Sequence, residues 1–217
     1  ASSGIFRKRD KIGMNSTSVM DAERHPLKPF LPSGMRILML GSFPPSQKRW
    51  CMDFFYPNFS NDMWRIFGIC FHSDINYFVD SDSKVFKKEK IIKELTERGI
   101  GIYDTALEVE RTKNTASDKD LRVITPTDIK AILKEAPECD TIVTTGEKAT
   151  EVAAMQFGSG CPKVGCHVEI PFEERSITHY RMPSSSRAYP MKIERKAECY
   201  ARMFKETLVL HTTTQEL

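Results

Sequence analysis

The sequence predicts an α/β fold of three layers, α/β/α, around a central, mainly parallel sheet of four strands. Two observations favour this class. Short, nearly continuous apolar runs alternate with longer segments in which apolar residues recur at helical spacing. Apolar runs of this kind are typical of strands that helices cover on both faces of a parallel sheet. The chain has 217 residues, 40% of them hydrophobic, which is enough to bury one continuous core.

The four predicted strands cover residues 36–40, 100–103, 141–144 and 176–182. The first, Arg-Ile-Leu-Met-Leu, is the clearest, because it is almost entirely apolar and is followed by a glycine, Gly41. The strands alternate with helical segments, so we expect them to lie parallel in one sheet.

Five helices are predicted between and after these strands. The first begins near residue 61, because apolar side chains then fall at i, i+3, i+4, i+7 and i+8, and Ser60 or Asn61 would cap it. The remaining helices are predicted over residues 84–98, residues 127–136, the segment after Gly146, and about four turns from Ile193.

Length and composition favour one domain, residues 23–212, preceded by a flexible tail over residues 1–22 that is mostly polar or basic. The sequence has no run of about 18 apolar residues and no apolar secretory segment. We therefore expect an intracellular, cytoplasmic protein with no membrane partner. The formal net charge of +3 permits a polyanionic partner but does not indicate one.

The sequence contains no recognisable metal or cofactor motif. The 6 cysteines occur without a Cys-x-x-Cys pair, and the 5 histidines show neither His-x-His nor His-Glu-x-x-His spacing. The glycine-rich loops of dinucleotide-binding and P-loop proteins do not occur either, which argues against a nucleotide-binding enzyme. We therefore expect no metal, no organic cofactor and reduced cysteines.

The loops that follow the predicted strands are the expected place for a ligand, because parallel sheets bind ligands beyond the carboxyl ends of their strands. The loop after the first strand begins Gly-Ser-Phe-Pro-Pro at residues 41–45. It continues with Phe-Phe-Tyr at 54–56 and reaches Asn-Asp-Met-Trp at 61–64. Its aromatic and polar side chains make this loop the first candidate for a binding site.

This order of motifs resembles the uracil-DNA glycosylase superfamily, most closely its hypoxanthine-DNA glycosylase and mismatch-specific uracil glycosylase-like branch. Further matching motifs are His-Pro-Leu at 25–27, Gly-Glu-Lys-Ala at 146–149 and Met-Pro-Ser-Ser-Ser at 182–186, and the resemblance spans about residues 25–208. It implies a monomeric, monofunctional DNA glycosylase, associated with the nucleoid, that needs no cofactor. Such an enzyme flips uracil or hypoxanthine out of DNA and hydrolyses its N-glycosidic bond in base excision repair.

The resemblance also implies roles for individual residues. Asn61 would position the attacking water, and Ser184 would share the catalytic role with its loop. Asp104 would accept a ring N–H of the base, and Phe55 or Tyr56 would stack on that base. The other base-pocket residues would be Gly41, Ser42 and Phe43, and the DNA contacts would be Pro44, Ser185, Ser186 and Arg187.

Each of these roles has a structural alternative. Asn61 precedes an amphipathic helix as an N-cap does, Asp104 can cap a turn, and either aromatic ring can pack in the core. Phe43 stands where most of the superfamily has the Asn or Asp that positions water, and Met182 stands where the strongest uracil enzymes have a histidine. Each such loss costs roughly 10²–10³ in rate. The alternative function is therefore a catalytically weak or inactive glycosylase-fold protein that binds nucleic acid.

Overall fold

The computed structural model describes residues 21–113, 115 and 117–208. The helices within it are α1 (Met63–His72), α2 (Lys88–Arg98), α3 (Ile129–Glu135), α4 (Glu147–Phe157) and α5 (Ile193–Leu208). The strands within it are β1 (Glu23–Arg24), β2 (Ile37–Gly41), β3 (Val79–Asp80), β4 (Val85–Phe86), β5 (Ile100–Asp104), β6 (Ala106–Arg111), β7 (Leu121–Pro126), β8 (Thr141–Thr145), β9 (His167–Phe172) and β10 (Arg175–Met182). The predicted tail, residues 1–22, lies outside the described residues except for Asp21 and Ala22, and so does the predicted domain end beyond Leu208.

Five strands form the central sheet, in the order β5-β2-β8-β10-β9. The first four are parallel and correspond to the four predicted strands, whereas β9 pairs antiparallel with β10 at the edge. The predicted α/β class and mainly parallel sheet are confirmed, but the predicted number of four strands is wrong. The sequence of β9, His-Val-Glu-Ile-Pro-Phe, is half exposed and contains a proline, so it lacks the buried apolar run that marks β2.

Helices cover both faces of this sheet, which gives three layers. Met39 of β2 and Val143 of β8 point into a core that they share with α1, α2 and α5. Leu38 and Ile142, one residue earlier on the same strands, point to the opposite face and pack with α3 and α4. Because side chains alternate between the faces of a strand, continuous apolar runs are needed to fill both cores.

A second sheet, with the antiparallel order β1-β6-β7, lies beside the end of β5. Thr105 alone separates β5 from β6, so the chain passes directly from one sheet into the other. Phe43, in the loop after β2, packs in a small core with Val109 and Leu121 of the hairpin β6–β7. The sequence analysis missed this sheet because its strands are largely exposed or half-buried and carry many charged residues.

The observed helices match the predicted ones, with shifts of a few residues at their starts. Helix α2 begins at Lys88 rather than near residue 84, because the residues before it form β4 and pair with β3. Helix α3 has Asp128 as its N-cap, with the carboxylate accepting the backbone N–H of Ala131 over 3.0 Å. Within the described part of the chain, no helix is both long and apolar enough to cross a membrane.

Candidate active site

A cavity of about 1030 Å³ opens at the carboxyl edge of the central sheet. The strand ends are level there, since Gly41 pairs with Asp104 and Thr145 pairs with Met182. The four loops expected to form a site therefore meet where α/β sheets bind ligands. Every residue with an expected role borders this cavity, namely Gly41, Ser42, Phe43, Pro44, Phe55, Tyr56, Asn61, Asp104, Ser184, Ser185, Ser186 and Arg187.

Asp104, the last residue of β5, is a buried carboxylate with 6% of its surface exposed. Its Oδ2 lies 2.7 Å from Nε2 of His25, whose side chain is also buried. Nδ1 of His25 lies near the main chain of Leu27, 3.1 Å from its nitrogen and 3.0 Å from its carbonyl oxygen. Because a carboxylate oxygen can only accept, Nε2 of His25 donates to Asp104. Asp104 is therefore held as a hydrogen-bond acceptor.

The second oxygen of Asp104, Oδ1, lies beside Gly41. A Cβ atom at position 41 would come within 2.5 Å of this oxygen and 3.2 Å of the Tyr56 hydroxyl, so only glycine leaves both groups in place. The Tyr56 hydroxyl shares a 2.8 Å hydrogen bond with Oγ1 of Thr145. Burial, reinforced by the charge of Asp104, raises the pKa of Tyr56, so its hydroxyl stays neutral at physiological pH.

The two aromatic rings expected to stack on a base differ in exposure. Phe55 is 3% exposed and packs near the rings of His25 and Tyr103. Tyr56 is half-buried, and its ring meets Trp64 edge-on at a centroid distance of 6.0 Å. The φ angle of Tyr56 is 50°, a left-handed conformation that non-glycine residues adopt rarely and that is common at ligand sites. Tyr56 is thus better exposed to a ligand, and Phe55 belongs to the core.

Asn61 lies just before α1 and borders the cavity. The residue at the N-cap position of α1 is Asp62, but its side chain makes no cap bond, and Oδ1 of Asn61 instead accepts the backbone N–H of Met63 over 2.9 Å, so the Asn61 side chain caps the first turn. A carboxamide oxygen has two lone pairs, and the cap uses one of them. The cap fixes the direction of the side chain and leaves an acceptor for a water molecule. Capping and water positioning are therefore compatible roles.

The serine loop, residues 183–187, borders the cavity and is held by two helices. Asp62, at the N-terminus of α1, donates its backbone N–H to the carbonyl of Ser185 over 3.0 Å. The hydroxyl of Tyr200, in α5, donates to the carbonyl of Pro183 over 2.8 Å. These contacts fix the main chain of the loop relative to the core of the domain.

Lys196 of α5 is the third contact that holds the serine loop, and it is a buried cation with 1% of its surface exposed. Its Nζ donates to the carbonyl of Ser186 over 2.7 Å and lies 4.0 Å from Oδ2 of Asp62. The other oxygen of Asp62 accepts the Nε–H of Arg187 over 3.1 Å. Burial lowers the pKa of Lys196, and the nearby carboxylate of Asp62 opposes this effect.

Three residues at or near the positions for which the motif resemblance implies catalytic groups contribute no polar side chain to the cavity. Phe43 is 8% exposed, with its ring edge-on to His25 at 5.2 Å, and Met182 is 1% exposed in the core. His179 is fully buried and does not border the cavity, and its Nε2 shares a 2.8 Å hydrogen bond with Oγ1 of Thr144. Burial lowers the pKa of His179 to about 4.

A second carboxylate, Asp118, borders the cavity from the turn of the hairpin β6–β7. No sequence pattern distinguishes Asp118 from its neighbours, because the segment between these strands is almost entirely polar. Burial raises the pKa of Asp118, and the charge of Asp104 adds to this effect. Hydrogen bonding to the Ser42 hydroxyl and the charges of Lys148 and Arg111 lower that pKa.

The cavity carries more cationic than anionic side chains. The anionic residues are Asp104, Asp118, Glu147 and Glu151, and the cationic ones are Arg49, Arg111, Lys119, Lys148, Arg181 and Arg187. Arg111 and Arg187 pair with Glu23 and Asp62, while the other cations have no ion-pair partner among the described residues. A basic rim of this kind suits a polyanionic ligand.

Comparison with solved structures gives a likeness in fold, whereas comparison with family models and curated proteins does not. The sequence matches no family model and no curated protein. The structure is similar to the solution NMR structure of a protein from Methanosarcina acetivorans that is provisionally described as a uracil DNA glycosylase, with a TM-score of 0.55. The two chains are 21% identical, and the match covers 85% of this chain and 99% of the other. The chain therefore has the same fold as that protein.

Proposed function

We propose that this chain is a DNA glycosylase of the hypoxanthine-DNA glycosylase and mismatch-specific uracil glycosylase-like branch. It hydrolyses the N-glycosidic bond of a deaminated base, uracil or hypoxanthine, in base excision repair. The observation that carries the proposal is the buried Asp104 carboxylate, which His25 holds as an acceptor in a cavity bordered by Tyr56 and Asn61. The motif resemblance and the fold shared with the Methanosarcina acetivorans protein support it.

Base recognition would depend on Asp104 and Tyr56. A base that has left the DNA stack needs a ring to replace its lost neighbours, and stacking on an aromatic side chain is worth roughly 1–3 kcal/mol. Uracil and hypoxanthine both present a ring N–H beside a carbonyl, which Oδ1 of Asp104 would accept. Cytosine and adenine carry an acceptor nitrogen at the equivalent place. A carboxylate that can only accept would therefore disfavour both.

Hydrolysis would depend on Asn61. As the bond between C1′ and the base nitrogen breaks, its electron pair goes to the base and positive charge develops on the sugar. Water then forms the new bond to C1′. The free lone pair of the Asn61 oxygen would hold this water, while the helix cap keeps the amide in a fixed direction.

The DNA strand would be held by the serine loop and the basic rim. Hydroxyl and backbone N–H groups of Ser184, Ser185 and Ser186 suit phosphate oxygens, and Arg187 and Pro44 border the same surface. A Cβ atom at Gly146 would lie 3.7 Å from Cβ of Ser184, so Ser184 is the residue of the loop next to the end of β8. Of the three serine hydroxyls, that of Ser184 would therefore lie closest to the reacting sugar.

A second candidate function is a catalytically weak or inactive glycosylase-fold protein that binds DNA. One observation favours it: Phe43 and Met182 are buried apolar side chains where relatives have polar catalytic groups. Loss of two such groups would reduce the rate while leaving DNA binding intact.

The test is alkali-induced strand cleavage of labelled duplexes that contain uracil, hypoxanthine or xanthine. We expect the wild-type protein to release at least one of these bases and Asn61→Ala to be slower by roughly 10²-fold or more. Because Asn61 also caps α1, Asn61→Asp is the matched control, since aspartate caps a helix equally well and keeps a water acceptor. We expect it to retain part of the activity.

The outcomes separate the two candidate functions. Base release that Asn61→Ala abolishes and Asn61→Asp retains supports a glycosylase with Asn61 at the water. No release at high enzyme concentration, with duplex binding retained in a fluorescence anisotropy titration, favours the inactive DNA-binding protein. Absence of both release and binding would contradict both.

A further inference from the structure

Asp118 borders the cavity but takes no part in the base recognition or hydrolysis proposed above. It begins a 3-10 turn, Asp118–Asp120, that joins β6 to β7. A Cβ atom at Gly146 would lie 3.9 Å from Oδ2 of Asp118, and Ser42 lines the same cavity. The second sheet thus brings a carboxylate to the ends of β2 and β8, next to the expected base pocket.

The hairpin that carries Asp118 is fixed by several contacts. The backbone N–H of Thr112 donates to the carbonyl of Asp120 over 2.8 Å, which closes the base of the turn. The hydroxyl of Ser117 accepts the backbone N–H of Lys119 over 3.3 Å. Nε of Arg111 lies 2.8 Å from the carboxylate of Glu23 in the neighbouring strand. The position of Asp118 is therefore determined by the fold.

The charges around Asp118 differ from those around Asp104. Oδ2 of Asp104 is occupied by His25, whereas no cationic side chain lies within 4.0 Å of Asp118 among the described residues. The charges that influence the pKa of Asp118 are those of Asp104 in β5, Arg111 in β6 and Lys148 in α4. Tyr56, in the loop before α1, is a further titratable group that interacts with the charge of Asp118. Unlike Asp104, Asp118 therefore has no histidine or other cationic side chain against its carboxylate among the described residues.

Hydrolysis of a glycosidic bond requires a group that takes a proton from the attacking water. In most of the superfamily the polar residue near this water follows the glycine that ends the first strand, and here that place holds the buried Phe43. Asp118 borders the same cavity as Phe43 and its neighbour Ser42, but from a different element. A residue from a different part of the sequence thus supplies a carboxylate to this part of the cavity.

We propose that Asp118 is a catalytic residue that accepts the proton of the attacking water, while Asn61 holds that water in place. This inference rests on the proposed glycosylase function. As the water oxygen bonds to C1′, one water proton passes to the Asp118 carboxylate. The electron pair of the broken bond stays on the base, which takes a proton from solvent as it is released. Asp118 then returns its proton to solvent.

The experiment measures single-turnover base release by the wild type, Asp118→Asn and Asp118→Glu, from about pH 5 to about pH 8. At neutral pH we expect Asp118→Asn to be slower by roughly 10²–10³-fold with unchanged duplex affinity, and Asp118→Glu to retain more activity. The wild-type rate should fall as pH drops toward the raised pKa of Asp118, because a protonated carboxyl cannot act as a base. Asp118→Asn should lack this dependence.

Asp128→Asn is the control variant, because it makes the same chemical change at an exposed residue that caps α3, and asparagine caps equally well. It should match the wild type. An active wild type with an equally active Asp118→Asn of the same pH profile would overturn this inference alone. A lower rate of Asp118→Asn that results only from weaker duplex binding would also overturn this inference. A wild type that releases no base from any duplex would overturn the proposed function as well.

Discussion

The pairing of His25 with Asp104 decides which hydrogen bonds the cavity can make. Both side chains are almost completely buried, with 2% and 9% of their surfaces exposed. A buried carboxylate without a donor is costly, and here the His25 N–H supplies one. The motif resemblance indicated Asp104 from the sequence, at the end of a predicted strand. The role of His25 could not be predicted, because its partner lies 79 positions further along the chain.

Replacement of His25 by phenylalanine should destabilise the protein through Asp104. The ring volume is kept and the donor is lost, so we expect the free energy of unfolding to fall by about 3 kcal/mol. The double variant His25→Phe/Asp104→Asn should lose less than the sum of the two single variants, because no unpaired carboxylate is left behind. Urea denaturation of the four proteins gives this coupling. The control His167→Phe, at an exposed position, should change the free energy of unfolding by less than about 0.5 kcal/mol. Strictly additive effects of His25→Phe and Asp104→Asn would show that their contact contributes nothing to stability.

Among the structural elements, the four parallel strands and the helices were predictable from the sequence, and the more exposed antiparallel strands were not. The strands β2, β5 and β8 are buried along their whole length and β10 along part of it, and the helices around them carry the apolar spacing that fills both cores. By contrast, β9 is an edge strand, and β6 and β7 form a hairpin with little buried surface. Their pairing depends on tertiary contacts that leave no periodic pattern in the sequence.

A buried cation is one of the three contacts that hold the serine loop. Lys196 donates to the carbonyl of Ser186, and its removal leaves that carbonyl without a donor from α5. We expect Lys196→Met, which keeps the length of the side chain, to speed hydrogen–deuterium exchange in residues 183–188 and to slow base release by roughly 10-fold or more. Lys205→Met, at an exposed position of the same helix, is the control and should change neither. Unchanged exchange in Lys196→Met would show that the other contacts suffice.

The site as a whole combines predictable and unpredictable parts. The expected residues from four loops meet in one cavity because parallel strands end at the same edge of a sheet. The sequence could not show which faces of these residues reach the cavity. Phe43 and Phe55 are largely packed in the interior, whereas Tyr56 is more exposed. Nor could it show Asp118, which the unpredicted second sheet brings to the cavity.

The stability of the molecule should depend on pH through a histidine that lies outside the site. His179 is buried between the sheet and α4, where Thr144 occupies Nε2 and Nδ1 has no hydrogen-bond partner among the described residues. A protonated ring would need an acceptor for both N–H groups, so the folded protein holds His179 neutral. Its pKa is lowered to about 4, whereas that of an unfolded histidine is about 6.5.

Between these two pKa values the unfolded chain binds a proton that the folded protein does not, so folding becomes less favourable as pH falls. The stability associated with neutral His179 is complete above about pH 6.5 and is lost progressively toward pH 4, by at most about 3 kcal/mol. Carboxylates titrate in the same window, but they are common to the wild type and His179→Gln. The difference in unfolding free energy between these two proteins, measured by urea denaturation at several pH values, therefore isolates His179. That difference should shift in favour of the variant as pH falls, and a difference that is constant from pH 7 to pH 4 would show that His179 does not titrate differently on folding.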